Sequence, residues 1–308
     1  MMNYNVANKW WVYQRERFPV FAHSPLLLAF SFSALSYSSL LRGAVQWPES
    51  KAIVVAFCTS LLFFLQLRIA DEFKDCEEDA RYRPYRPVPR GLVNLRELGL
   101  LGILSAFSQL AFALYLQPAL VFLLILTWLY LALMSVEFFA RDWLKARPIT
   151  YLWTHMLIVP LVDYYATACD WLANEQAQPS GLLWFLLVSF CNGIVIEVGR
   201  KLRAPSDEED GVQTYTVLWG RTTAVLVWLC AMLATATFAV LAAMKIAFVL
   251  PVATILTLFL FAAVVIAIRF WQRPEARRAR LFESMSGVWT LVLYLSLGAI
   301  PLLVKMGG

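Results

Sequence analysis

Long apolar runs separated by short polar connections dominate this chain. Runs of about 20 residues with few charges, enough for a helix to cross a bilayer, occur nine times. A turn at Leu116-Gln117-Pro118 separates the third run from the fourth. The pattern predicts an all-α membrane protein with nine transmembrane helices, near 22–41, 51–69, 98–116, 118–138, 149–169, 181–197, 222–244, 247–268 and 285–304.

Composition supports this interpretation. Hydrophobic residues make up 60% of the 308-residue chain, and its mean hydropathy is +0.64. In soluble domains the apolar share is about one half. Five cysteines show no C-x-x-C spacing, so we expect neither a disulfide framework nor a zinc site.

Basic residues fall mainly on one side of the nine predicted spans. With alternate connections assigned to the same side, 22 of the 26 lysines and arginines share the side of the N-terminus. An excess of Lys and Arg marks the cytoplasmic face, which places the N-terminus in the cytoplasm. The net charge of +5 then follows from this bias and from anionic membrane lipids, and we expect no nucleic-acid partner.

The chain shows no Gly/Ser-rich linker, and we interpret residues 1–308 as one membrane domain. Two connections that are acidic as well as basic, one after the second span and one after the sixth, are separated by four spans. This four-span separation suggests two related halves, approximately 22–138 and 149–268, with a ninth helix at 285–304 appended. The longer polar connections are all cytoplasmic, so we expect the functional site on that side.

The first acidic connection begins where the second apolar run ends. Asp71, Asp75 and Asp79 follow one another at intervals of four residues, with Glu72 beside the first. On a continuing helix they line one face, with a rise of about 6 Å per step. Carboxylates stacked in this way repel one another unless a cation lies between them. Mg²⁺ suits such a site, because it binds one or two carboxylates together with water and phosphate oxygens.

Basic residues and prolines follow these acids. Pro84, Pro87 and Pro89 prevent further helix. Guanidinium groups beside metal-binding carboxylates can pair bidentately with phosphate, which predicts a cradle for a diphosphate or triphosphate. The alternative is a solvated, mixed-charge helix end at the membrane surface. The candidate phosphate contacts are Arg81, Arg83 and Arg86.

The second acidic connection combines acids and bases in a similar way. Glu197 lies near the end of the sixth apolar run, where an ionisable group is costly without a partner. Lys201 at i+4 is one such partner, and a purely intrahelical pair is the alternative to a functional role. Pro205 should end the helix, which leaves Asp207 and Asp210 on a loop as candidate metal ligands. The candidate diphosphate contacts here are Arg200, Lys201 and Arg203.

Further polar residues are weaker candidates. Lys145 and Arg147, between the fourth and fifth spans, either contact the diphosphate or only anchor the cytoplasmic face. His155, Asp163 and Asn192 lie within apolar runs and should face the bundle interior. Asp163 is deep in its span and is expected to have a structural, hydrogen-bonded role. His155 and Asn192 lie closer to the predicted site, and His155 is a conceivable base.

The chain resembles intramembrane prenyltransferases of the UbiA superfamily, whose members have nine transmembrane helices and two Asp-rich cytoplasmic motifs. The first family motif, NDxxDxxxD followed by an RPxP-type stretch, is matched by Asp71-Glu72-x-x-Asp75-x-x-x-Asp79 and by Arg83 to Gly91. Asp71 replaces the usual Asn and Glu72 the usual Asp, and both keep oxygen ligands. The resemblance extends over nearly the whole chain.

The second family motif is matched less closely. Glu197 takes the first acidic position, Arg200 replaces the next Asp, and about three extra residues precede Asp207. Gly211 and Thr214 fit the motif's ending. The departure leaves open which acids bind a second metal and whether basic residues hold part of the diphosphate.

The resemblance implies Mg²⁺-dependent transfer of a prenyl group from a prenyl diphosphate to an aromatic or other lipophilic acceptor within the membrane. The implied catalytic and metal-binding acids are those of the two motifs. The alternatives are a cyclase of the same fold, which needs no acceptor, or a non-catalytic transporter or assembly factor. Transporters often place ionisable groups near the midplane, whereas the acids here cluster at one face.

Overall fold

The computed structural model describes residues 6–307, which fold into fifteen α-helices and two short 3-10 turns, with no β-strand in that range. The helices are α1 (Val6–Arg17), α2 (Val20–Leu41), α3 (Ser50–Lys74), α4 (Cys76–Tyr82), α5 (Leu95–Leu116), α6 (Leu120–Ser135), α7 (Arg141–Lys145), α8 (Pro148–Met156), α9 (Ile158–Trp171), α10 (Leu182–Arg200), α11 (Tyr215–Trp219), α12 (Arg221–Lys245), α13 (Val249–Gln272), α14 (Ala276–Leu297) and α15 (Ala299–Gly307). The 3-10 turns are Glu137–Phe139 and Pro205–Asp207.

Seven stretches of the described chain are long and apolar enough to cross a membrane: α2, α3, α5, α10, α12, α13, and α14 with α15. The shorter apolar helix α6 has 16 residues, and α8 and α9 form a pair broken at Leu157. Each of the nine predicted spans coincides with one of these helices or helix pairs. The expected turn near Pro118 is present, because α5 ends at Leu116 and α6 begins at Leu120.

Helices α2, α9 and α10 lie at the centre of the bundle. Helix α2 packs against α3, α9 and α14, and α10 packs against α9, α12 and α14. Small buried serines line α2 and let neighbouring backbones approach closely. The hydroxyls of Ser31 and Ser36 are satisfied within the helix, because each donates to a backbone carbonyl at 2.8 Å. The Ser38 hydroxyl donates to Asp170 of α9 at 2.7 Å.

The outer surface of the bundle is apolar. Phe122 and Leu250 are each 77% exposed, and Phe261 is 71% exposed. Such large apolar side chains suit contact with lipid tails, whereas a soluble monomer rarely exposes so many together. The fold therefore buries its polar interior groups and presents its hydrophobic side chains to the membrane.

The first acidic connection continues α3 beyond its apolar run. Regular α-helical geometry is interrupted only at Asp75, which separates α3 from α4. The i to i−4 backbone bonds persist, because the N–H groups of Asp75 and Asp79 donate to the carbonyls of Asp71 and Asp75 at 2.9 and 2.8 Å. The predicted four-residue spacing of the three aspartates is therefore kept, and the helix ends at Tyr82 before the prolines.

The second acidic connection begins well before Pro205, the residue that was predicted to end the preceding helix. Helix α10 ends at Arg200, five residues before that proline. Ala204 has the extended conformation (ψ 156°) that a following proline favours. The prediction that Pro205 itself ends the helix was wrong, because the chain has already left the helix at Lys201.

Candidate active site

The two acids that open the first connection have basic partners. The Asp71 carboxylate lies 3.3 Å from the Arg68 guanidinium and 4.0 Å from the Lys74 ammonium. Glu72 is buried, and its carboxylate pairs with the Arg17 guanidinium from α1. Both acids are therefore fixed in position, and each brings a positive group to the start of the connection.

Asp75 differs from these two acids. It is half-buried, and its carboxylate has neither an ion pair nor a hydrogen bond to another side chain of the described residues. Burial raises the pKa of the Asp75 carboxyl above its usual value. The carboxylates of Asp71, Asp79 and Glu78 raise this pKa further, and Lys74 opposes them. A cation placed among these acids would relieve the repulsion.

Asp79 pairs with two basic residues of the same connection. It is buried, and its carboxylate lies 2.5 Å from the Arg86 guanidinium and 3.8 Å from that of Arg83. Arg81, by contrast, is exposed and lies over the Tyr82 ring at 5.2 Å. The structure thus brings two of the three predicted arginines to the acidic face and leaves the third at the surface.

Glu197 at the end of α10 is held by two predicted basic residues. Its carboxylate lies 2.7 Å from the Arg200 guanidinium and 2.7 Å from the Lys201 ammonium. Arg200 is also within electrostatic reach of Asp71. The Arg203 backbone N–H donates to the Thr216 hydroxyl at 3.1 Å. The end of α10 therefore adjoins the start of the first connection, and Glu197 and Asp71 belong to one neighbourhood.

The two connections also touch directly. The Arg83 guanidinium lies 3.5 Å from the Glu209 carboxylate, and the Tyr85 hydroxyl donates to Glu209 at 2.9 Å. Gly211 packs so closely on the Tyr82 ring that a Cβ atom there would lie 2.3 Å from it. Gly211 has φ +75°, which glycine adopts readily. Contacts of both charge and shape therefore join the two acidic connections.

Within residues 207–210, the acids that make these contacts are not the two that the sequence singled out. Glu209 pairs with the first connection, and Glu208 accepts hydrogen bonds from the hydroxyls of Thr214 and Thr216. Asp210 is exposed, and Asp207 is half-exposed in the second 3-10 turn. Their assignment as metal ligands stays a prediction.

The third basic element reaches the first connection through one residue. The Lys145 ammonium pairs with Glu78, and this hydrogen bond holds the pKa of the Glu78 carboxyl below its usual value. Arg147 is exposed, and its guanidinium lies 4.4 Å from the centre of the Trp143 ring. Lys145 therefore belongs to the acidic neighbourhood, whereas Arg147 lies beside an aromatic side chain.

One buried acid near the site is missing from the candidates that the sequence suggested. Glu137 is 3% exposed, and its carboxylate lies 3.6 Å from the Lys74 ammonium. The sequence did contain a signal for this residue, because Glu137 falls inside the fourth predicted span, where burying an ionisable group costs free energy. The polar residues that the sequence did single out in other spans are hydrogen-bonded: Tyr294 donates to Asp163 at 3.2 Å, and Thr290 donates to Asn192 at 3.1 Å.

The acidic residues suit Mg²⁺ by their chemistry but are not drawn together in the ligand-free chain. Within residues 6–307, no three acids, histidines or cysteines form a ready metal cluster. Most of the acids are paired with bases instead. Asp75, unpartnered among like charges, is the carboxylate best suited to a hard cation, and its neighbours become available if an anionic ligand takes over their basic partners.

Comparison with known proteins agrees with this architecture. A sequence model of the UbiA prenyltransferase family matches residues 26–291, whereas no curated protein matches the chain significantly. Among solved structures, the apo structure of a UbiA homologue from Aeropyrum pernix K1 is similar. It is 13% identical with a TM-score of 0.68, over 92% of this chain and 98% of that one.

Two further structures share the fold. A digeranylgeranylglyceryl phosphate synthase is 13% identical with a TM-score of 0.62, over 95% of this chain and 99% of that one. A UbiA homologue from Archaeoglobus fulgidus, bound to DMAPP and Mg²⁺, is 12% identical with a TM-score of 0.54. The match covers 92% of this chain and 98% of that one. Because the family model matches most of its length, this chain belongs to the UbiA prenyltransferase family of multi-pass membrane enzymes.

Proposed function

We propose that the protein transfers a prenyl group from a prenyl diphosphate to an aromatic or other lipophilic acceptor within the membrane, in a Mg²⁺-dependent reaction. The observation that carries this proposal is the contact between the two acidic connections through Arg83, Glu209 and the Gly211–Tyr82 packing. The family and the homologue bound to DMAPP and Mg²⁺ support the donor class and the metal.

The acids of the two connections would hold the metal. When bound, Mg²⁺ would neutralise charge on the diphosphate and make it a better leaving group. Asp75 is the first ligand we assign, because it is unpartnered, and the exposed loop acids complete the set. The proposed ligands are Asp71, Glu72, Asp75, Asp79, Glu197, Asp207 and Asp210.

The basic residues would bind the diphosphate oxygens. Arg83 and Arg86, now paired with Asp79, would turn to the phosphate and free the Asp79 carboxylate. Arg200 and Lys201 can do the same for Glu197. The remaining proposed contacts are Arg81, Lys145, Arg147 and Arg203.

This arrangement favours cleavage of the bond between the allylic carbon and the diphosphate oxygen. Positive side chains stabilise the charge that develops on the leaving diphosphate. The apolar, aromatic interior of the bundle excludes water, so an electron-rich acceptor captures the allylic cation in its place. A membrane bundle suits this reaction because the prenyl tail can lie among its helices.

We further propose the nine-span topology, with the N-terminus and the active site in the cytoplasm. Helix α6 and the α8–α9 pair supply the two crossings beyond the seven long apolar stretches. The concentration of basic residues on the side of the acidic connections supports this orientation.

Purified protein in nanodiscs, incubated with prenyl diphosphates from dimethylallyl to geranylgeranyl, tests the proposed function. We expect diphosphate release that requires Mg²⁺ and stops on addition of EDTA. Release unaffected by chelation, or no release from any donor, would contradict the proposal. A cyclic hydrocarbon formed without an acceptor would identify a cyclase instead.

A further inference from the structure

Four polar side chains from three segments meet beside the first acidic connection: Lys74, Glu137, Tyr151 and His155. The Lys74 ammonium donates to the Tyr151 hydroxyl at 2.7 Å, and that hydroxyl donates to Glu137 Oε1 at 3.3 Å. The Tyr151 and His155 rings stack with centroids 3.9 Å apart. Glu137, Tyr151 and His155 lie outside the two acidic motifs, and Lys74 occupies a variable position of the first.

Two buried atoms in this cluster have no hydrogen-bond partner within the described chain. They are Glu137 Oε2 and His155 Nε2, which lie 4.0 Å apart, and their residues are 3% and 6% exposed. A separation of 4.0 Å is too long for a direct hydrogen bond. Buried polar atoms are rarely left without partners, so this pair points to a group from outside the chain.

The chain determines what kind of group that is. His155 Nδ1 lies 2.8 Å from the Tyr151 carbonyl oxygen, which can only accept, so Nδ1 carries the proton. In the neutral ring Nε2 is then an acceptor, like the carboxylate oxygen opposite. Two acceptors need two donor hydrogens. A cationic ligand is disfavoured, because the Lys74 ammonium already lies 3.6 Å from Glu137.

We propose that Glu137 and His155 bind two neighbouring O–H groups of the prenyl-accepting substrate, as in a catechol or a vicinal diol. This proposal rests on the proposed function, since it supplies the acceptor class that the transfer reaction needs. His155 is within electrostatic reach of both Asp71 and Glu197. A hydroxyl held there would lie beside Lys74, next to the first acidic connection where the diphosphate is proposed to bind.

Two further features fit such a substrate. Phe138 packs edge-on against His155 and also lines an apolar surface depression of about 260 Å³, with Trp143 and Trp153. This depression suits the lipophilic body of the same molecule. The backbone is also strained here, because residues 137–139 all have φ between 52° and 57°. Consecutive left-handed residues other than glycine are unfavourable, and such strain concentrates at functional sites.

Binding of three matched probes tests the proposal: 4-octylcatechol, its monomethyl ether and its dimethyl ether. Calorimetry on the full chain in nanodiscs, with EDTA present, keeps catechol–metal chemistry out of the measurement. We expect the catechol to bind about tenfold or more tightly than the dimethyl ether, since hydrogen bonds to a charged group contribute that much. Equal binding of the three probes would overturn the proposal and leave water as the occupant.

Variants separate this site from general partitioning into the membrane. His155→Phe keeps the ring that stacks on Tyr151, and Glu137→Gln keeps the side-chain shape; each should remove most of the preference for the catechol. Glu49→Gln, at an exposed residue of another connection, should retain it. A preference kept in both site variants would overturn the proposal. If one variant fails to fold, the other variant and the three probes on the wild type still test the proposal.

Failure of the proposed function gives a different result. Asp75→Asn should lower Mg²⁺-dependent diphosphate release on the order of 100-fold and yet keep the catechol preference measured in EDTA. A wild-type protein that releases no diphosphate but prefers the catechol would contradict the proposed transfer reaction and support the hydroxyl-binding site. Diphosphate release without any catechol preference would support the transfer reaction and contradict the hydroxyl-binding site.

Discussion

At the scale of single residues, the acids of the site differ most in whether they have partners. Glu72, Asp79 and Glu197 are each neutralised by arginine or lysine, whereas Asp75 lies unpartnered among like charges. The motif spacing identified all four acids. It could not show that Glu72 is also neutralised, because its partner Arg17 comes from α1, an element distant in sequence.

Asp75→Asn therefore tests the proposed metal ligand most simply. We expect Mg²⁺-dependent diphosphate release to fall on the order of 100-fold, comparable to the loss of one group that stabilises transition-state charge. The melting temperature of the metal-free protein should not fall, because the substitution removes repulsion. Steady-state release and thermal melting measure both effects, with Glu275→Gln, at an exposed acid between α13 and α14, as the control. A variant that keeps full release would exclude Asp75 as a required ligand.

At the scale of elements, hydrophobic periodicity predicted helix positions well and helix breaks poorly. Each predicted span lies on a helix, because the length of an apolar run limits where a helix can begin and end. The break after Arg200 and the left-handed turn at Glu137–Phe139 had no local signal of comparable strength. Contacts with other segments hold the chain at both places: the Arg203 backbone N–H donates to the Thr216 hydroxyl, and Glu137 pairs with Lys74 of α3.

The contact between the two connections depends on a glycine, and a matched pair of substitutions tests it. Gly211→Ala would bring a Cβ atom 2.3 Å from the Tyr82 ring, whereas Gly220, with the same φ of +75°, has open space around it. A side chain at Gly220 strains the backbone by about 1–3 kcal/mol, since its ψ is 155°, so the two variants are compared per folded molecule.

We expect Gly211→Ala alone to separate the connections and to reduce diphosphate release at least about tenfold relative to Gly220→Ala, as expected for displaced catalytic groups. Release per folded molecule, normalised by melting curves, is the measurement. Equal release from the two variants would show that the close packing on Tyr82 is unimportant for the reaction.

At the scale of the whole molecule, charge distribution determines the proposed orientation. Basic residues lie mostly on the side of the acidic connections, and the opposite side has few, among them Arg42, which pairs with Asp170 at 2.7 Å. The division into two related halves stays a prediction.

Thiol labelling of vesicles tests this orientation. In a chain whose five native cysteines are replaced, Arg277→Cys and Gln176→Cys place single thiols at exposed positions on opposite sides. A membrane-impermeant reagent should label position 277 only from the cytoplasmic side and position 176 only from the other side. Labelling of both from the same side would contradict the nine-span topology.

The central claim is that acids from both connections act on one ligand, and a double-mutant cycle tests it most directly. The dissociation constant of a prenyl diphosphate in the presence of Mg²⁺ is measured for the wild type, Asp75→Asn, Glu197→Gln and the double variant. A shared site predicts a coupling energy of about 1 kcal/mol or more between the two residues. Effects that add to within about 0.5 kcal/mol would show that the two acids act at separate places.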